Sequence, residues 1–181
     1  MRTLLVTLLL GCVHPIGGPL EDAREARVPP PEGFVLTYEE QEGPFGARRI
    51  VLDSEGALAL TRWRPGFVPA LDTPETILRN DEVTQDDEGA VVTEAQVRAE
   101  DMVRLVDVLV SIEGWKHRGS GLPNTPIETG RARLTLRLGG ESSEATEYVR
   151  DLDSNDRLVR VRQLLDEVLL AASSAPAPAP E

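Results

Sequence analysis

The most regular alternation of apolar and polar residues runs over Arg131–Leu138. A period of two predicts a β-strand with one buried face, and the interleaved arginines are expected to face water. Gly139 and Gly140 supply a turn, after which 143–150 returns as the partner strand. The side chains expected in the core are those of Ala132, Leu134, Leu136 and Leu138.

The same two-residue period predicts a second hairpin over Arg48–Trp63. Its turn is Asp53–Gly56, with Asp first and Gly fourth, as a type I turn prefers. Upstream, Phe34–Glu39 is β-branched and aromatic enough for an opening strand, and 90–93 is a candidate for a further short strand.

Apolar residues at three- and four-residue spacing predict two amphipathic helices, one near 99–113 and one near 156–170. Strands followed by a helix, then a hairpin and a second helix, are typical of an α+β domain. We therefore expect a single small domain over 34–170, in which a mainly antiparallel sheet carries two amphipathic helices on one face. The apolar positions of the helices are Met102, Leu105, Val106, Leu109 and Val110, and Leu158, Val161, Leu165 and Val168.

The amino terminus has the layout of a secretory signal. One arginine follows the initiator, Leu4–Leu10 is an almost unbroken apolar run, and Gly11 precedes Cys12, which is the only cysteine in the chain. This run is shorter than the roughly 20 residues of a membrane-spanning helix. The tetrapeptide ending at Cys12 resembles the lipobox of bacterial lipoproteins, which implies a signal peptide over 1–11, a lipidated Cys12 and a lipid anchor in the bacterial cell envelope. The alternative is an ordinary signal, or an uncleaved anchor with an incidental cysteine.

Composition divides the remaining chain into a domain and its flanking segments. Prolines bracket a charged stretch within 12–33, which is expected to be a flexible tether, and 171–181 is an Ala/Pro tail expected to be disordered. Between the strands, 65–89 is expected to be a long acidic loop. That loop is either a binding surface or a solvated loop without a binding role. A weakly bound cation at its carboxylates is a further alternative.

Charge and residue types exclude several functions. The net charge of −12 disfavours nucleic acid as a partner. A zinc site needs three or four ligands held together, yet His14 lies in the predicted tether, His117 lies in a loop and Cys12 is the lipidation residue. A catalytic triad would need His117 as its base, although Lys116 and Arg118 flank it and disfavour its protonation. We therefore expect no catalytic residues, no metal and no cofactor, and a protein that is not an enzyme.

The order of elements, with a few turn residues, resembles emfourin, the protealysin-inhibitor family of small bacterial domains. The resemblance rests on an opening strand with Tyr38, a glycine-rich break at 43–46, hairpin turns at Gly56 and at 139–140, and a closing Asp-capped helix. It covers roughly 34–170, except for the acidic insertion, and Pro44 inside the glycine-rich turn departs from the family pattern. The resemblance implies a protein that blocks a secreted thermolysin-like metalloprotease by occupying its cleft.

Aromatic and basic residues at the ends of elements are the candidates for contact with a protein partner, since these types are enriched at interface hot spots. The alternative for each tryptophan is a place in the core. We expect a lipid-anchored, non-catalytic interaction domain that contacts the membrane only through its anchor, with metalloprotease inhibition as its most concrete function. A structural or assembly accessory of an envelope complex is the alternative. The predicted partner-binding residues are Phe45, Trp63, Trp115, Lys116 and Arg118.

Overall fold

The computed structural model describes residues 14–41, 47–63, 90–116, 131–148 and 156–173. Within these ranges, six strands form one sheet in the order β4-β3-β2-β1-β5-β6, and every neighbouring pair is antiparallel. The predicted α+β class is confirmed, with a third helix in addition to the two expected. The elements are α1 (Gly17–Ala26), β1 (Val35–Gln41), β2 (Ala47–Asp53), β3 (Ala57–Trp63), β4 (Ala90–Gln96), α2 (Ala99–Ser111), β5 (Arg131–Leu138), β6 (Glu141–Tyr148) and α3 (Asp156–Ser173).

Both predicted hairpins are confirmed, and hydrogen bonds of Asp53 stabilise the turn of the first, between β2 and β3. The Asp53 carboxylate accepts hydrogen bonds from the amides of Glu55 and Ala57, both at 2.9 Å. Gly56 follows with a φ of +84°, and a Cβ there would lie 2.7 Å from the carbonyl oxygen of Val97. A side chain at this position would therefore meet both backbone strain and a steric clash.

The core lies between one face of the sheet and the three helices. In β5 the even-numbered residues 132, 134 and 136 are fully buried, as the alternation predicts. Because β1 and β2 present their own apolar residues in register with these, the sheet offers a continuous apolar face. The helices complete it with Met102, Leu105, Val106 and Leu109 from α2, and with Leu158, Val161, Leu165 and Val168 from α3.

Helix α1 overturns the prediction of a flexible tether over 12–33. Ile16 and Leu20 are fully buried and belong to the core. The His14 side chain satisfies two amides at the start of the helix, because its Nδ1 accepts hydrogen bonds at 3.2 Å from the amides of Ile16 and Gly17. The folded unit thus includes residues from Ile16 onward, well before the predicted start at Phe34. The predicted acidic loop 65–89 lies outside the described residues, and α3 runs to Ser173, slightly beyond the predicted start of the tail at 171.

The face of the sheet opposite the helices, called the open face here, was expected to be wet. Its central row instead holds buried, paired charges. Arg133 is 7% exposed, and its guanidinium lies 3.9 Å from the Glu39 carboxylate. Glu39 also accepts a 2.7 Å hydrogen bond from Arg49. The expectation that Arg133 faces water is therefore wrong, because carboxylates on neighbouring strands offset its desolvation, whereas Arg137 is exposed as predicted.

Candidate functional site

Three of the residues that the sequence marked for partner binding lie in the described part of the chain, and these three do not form one exposed surface. Trp115 is 4% exposed, and a Cβ on Gly17 would lie 2.4 Å from its indole ring. The missing side chain of Gly17 therefore lets α1 pack directly on Trp115, so the tryptophan is a core residue. The next residue, Lys116, has its side chain 51% exposed and paired with Glu113.

Trp63 lies at the end of β3 and is also largely covered, with 9% of its surface exposed. The guanidinium of Arg49 lies 5.3 Å from the centroid of its ring, within the range of a cation–π contact. Trp63 thus extends the row of paired charges on the open face. The remaining predicted residues, Phe45 and Arg118, and the lipidation residue Cys12 lie outside the described residues.

A second charged cluster fastens α3 to the helix-covered side of the sheet. Arg48 Nε donates a 2.8 Å hydrogen bond to Glu40, and Arg48 Nη1 donates a 2.6 Å bond to Asp166 of α3. Arg162 approaches the other Glu40 oxygen at 3.1 Å. Burial lowers the pKa of Arg48, but the hydrogen bond to Asp166 and the charge of Glu40 raise it by more, so the net shift is upward. These charges neutralise one another, so the cluster holds α3 against β1 and β2.

The edge strand β4 is an accessible binding feature. Among the described residues it pairs only with β3, and its residues 91–94 are all exposed. Val91 and Val92 are 56% and 44% exposed, unusually open for large apolar residues in this chain. An edge strand offers unpaired backbone donors and acceptors to another extended chain.

A shallow groove of about 600 Å³ adjoins β4 on the open face. Its floor is made by small side chains, including Ala57 and Ala59 of β3, beside Val51 of β2. Glu94 and Gln96 of β4 line its outer side. The groove and the edge strand together form the candidate site, an extended surface with an apolar floor and an acidic border.

Sequence reasoning predicted a strand at 90–93 but did not assign it this role. The site becomes visible only from the sheet order, since a strand's place at an edge depends on distant pairings. The one local signal was the composition of Ala90–Gln96, which has a single charged residue and no proline.

Within the described ranges, no group of three histidine, cysteine or carboxylate side chains is placed to hold a metal ion. None of the described helices is both long enough and apolar enough to cross a membrane. In comparisons with known proteins, no protein-family model matches this chain and no curated protein matches it significantly.

Proposed function

We propose that this protein is a lipid-anchored, non-catalytic interaction domain of the bacterial cell envelope. The observation that carries the proposal is the open edge of β4 beside its groove, where residues 91–94 are all exposed. Such an edge binds an extended polypeptide through backbone hydrogen bonds and needs no reacting group. The lipobox-like sequence ending at Cys12 supports the anchor.

The most concrete version of this function is inhibition of a secreted metalloprotease. Two arguments support it: the resemblance of the element order to emfourin, and the fit between an edge strand and a cleft that accepts extended peptides. The paired state of the charged clusters also favours binding over catalysis, since Glu40 and Glu39 each have arginine partners at 3.1 Å or less.

The test uses the full chain in mild detergent against a panel of secreted thermolysin-like metalloproteases, with hydrolysis of a peptide substrate as the readout. We expect at least one member to be inhibited at micromolar concentration or below, in a one-to-one complex. An unrelated lipoprotein of similar charge is the control. If no protease is inhibited and the protein co-purifies with a membrane assembly, the accessory function replaces the inhibitor.

A further inference from the structure

The structure points to the chemistry of the partner segment that the β4 edge accepts. We propose that β4 binds an extended, basic segment of a partner protein by strand addition, with Glu94 paired to a lysine or arginine of that segment. This inference rests on the proposed function, because it requires a protein partner. It adds the binding element, the hydrogen-bonding residues and the charge of the occupant.

The backbone groups of Val92 and Glu94 point away from the sheet. The Val97 amide donates a 2.8 Å hydrogen bond to the Gly56 carbonyl of the adjoining turn. In an antiparallel ladder, alternate residues direct both of their backbone groups to the same neighbour. The β3–β4 register is continuous from 57 to 63, so residues 91, 93 and 95 face β3. Val92 and Glu94 therefore face outward and can pair with an added strand.

The side chains of these same two residues lie on the open face. Their cross-strand partners are Thr61 and Ala59, and Ala59 lines the groove beside Glu94. An added strand would thus place one side chain across from Val92 and another, two residues away, across from Glu94. The first site favours a β-branched or aromatic residue, and the second favours a residue of opposite charge.

Charge selects a basic partner segment over a second copy of this chain. Glu94 is exposed and makes no ion pair with any residue in the described part of the chain. By contrast, the nearby Asp53 carboxylate is occupied by two backbone amides. Each copy also carries a net charge of −12, which opposes self-association and favours a basic ligand.

The opposite edge of the sheet lacks these features. In strand β6, Glu144 lies 3.6 Å from Arg133 and Glu147 lies 3.7 Å from Arg157, so among the described residues these carboxylates are already paired, unlike Glu94. Ala145 and Glu147 are also buried, at 0% and 1% exposure. The two edges therefore differ in charge and accessibility, and β4 is the one suited to binding.

The first test uses a fluorescein-labelled nine-residue peptide that alternates valine with threonine and carries one central lysine. The matched peptide has glutamate in place of the lysine. Fluorescence anisotropy with the full chain in mild detergent should show tighter binding of the lysine peptide, by about fivefold or more. The Glu94→Lys variant should reverse this preference. Equal binding of the two peptides by both proteins would overturn the inference.

The second test removes one outward amide. Val92→Pro deletes an N–H that faces away from β3, so β4 should stay paired while an added strand loses a hydrogen bond. The control Val92→Thr keeps the amide and the side-chain shape. We expect the lysine peptide to bind Val92→Thr within about twofold of wild type, and Val92→Pro at least tenfold more weakly, about 1.4 kcal/mol. Unchanged binding by Val92→Pro would contradict strand addition.

Two further outcomes separate this inference from the proposed function. A concentration-dependent dimer that Val92→Pro abolishes would overturn the basic segment as occupant and replace it with a second copy. If the wild-type protein binds the lysine and glutamate peptides equally but inhibits a protease, strand addition of a basic segment is overturned and the inhibitor function stands. If the wild-type protein prefers the lysine peptide but inhibits no protease, the inhibitor function is overturned and strand addition stands.

Discussion

Tyr38 marks the boundary between the apolar core and the charged cluster that fastens α3. Its ring is fully buried, and the guanidinium of Arg48 lies 5.8 Å from the ring centroid. Within the described part of the chain its hydroxyl has no hydrogen-bond partner. Burial, reinforced by the negative charge of Glu40, raises the pKa of Tyr38 well above its ordinary range. The neutral phenol is therefore the form that the fold accommodates.

This shift predicts a loss of stability at alkaline pH. The unfolded chain releases the phenol proton near pH 10 while the folded chain retains it, so the free energy of unfolding should fall by about 1.4 kcal/mol per pH unit above that point. Tyr38→Phe should remove this contribution and leave stability near pH 8 unchanged or slightly higher. Urea titrations between pH 8 and 11.5 would measure it. The same alkaline slope in both proteins would show that Tyr38 is not the group responsible.

At the scale of elements, the sequence predicts best where the structure is local. The hairpins of β2–β3 and β5–β6 follow from alternation and turn residues within a few positions of each other. Helix α1 was missed because its apolar residues, Ile16, Leu20 and Ala23, are few and lie among prolines and charges typical of a linker. Two features of the sequence do indicate this helix. The three apolar residues have helical spacing, and Pro19 is tolerated in a first turn. The binding edge required the complete sheet order, which no local pattern contains.

The role of α1 predicts that its buried face is essential to the domain. Leu20→Asp places an unpaired charge in the core and should destabilise the fold by about 3 kcal/mol or more. Glu21→Lys, on the exposed side of the same helix, should change stability by less than about 0.5 kcal/mol. Thermal unfolding followed by circular dichroism would compare them. Equal melting temperatures would restore the tether interpretation.

At the scale of the whole molecule, the buried start of α1 follows the proposed lipidation residue closely in the sequence. Buried Ile16 lies four positions after Cys12, which is a reach of at most about 14 Å. The α1 start packs on Trp115, and a Cβ on the preceding Gly114 would lie 3.5 Å from Leu136 of β5. Strand β4 lies four positions from β5 in the sheet, roughly 19 Å away. The start of α1 therefore lies on the β5 side of the sheet, away from the β4 edge.

The proposed anchor predicts that Cys12→Ala abolishes lipid attachment. The acyl chains of a lipobox protein are attached at the cysteine. The variant should therefore not incorporate a radiolabelled fatty acid, and it should be absent from the membrane fraction. His14→Ala, two residues away, should retain the label. Unchanged incorporation in the Cys12→Ala variant would show that Cys12 does not carry a lipid anchor.

The proposed binding site requires β4 to have a free edge, and amide hydrogen exchange resolved by residue tests this directly. The amides of Val92 and Glu94 should exchange at least about tenfold faster than those of Val91, Thr93 and Ala95, which bond to β3. That alternation would establish a strand held on one side and open on the other. Uniformly slow exchange from Val91 to Ala95 would mean that the edge is already covered, and would contradict the proposed binding site.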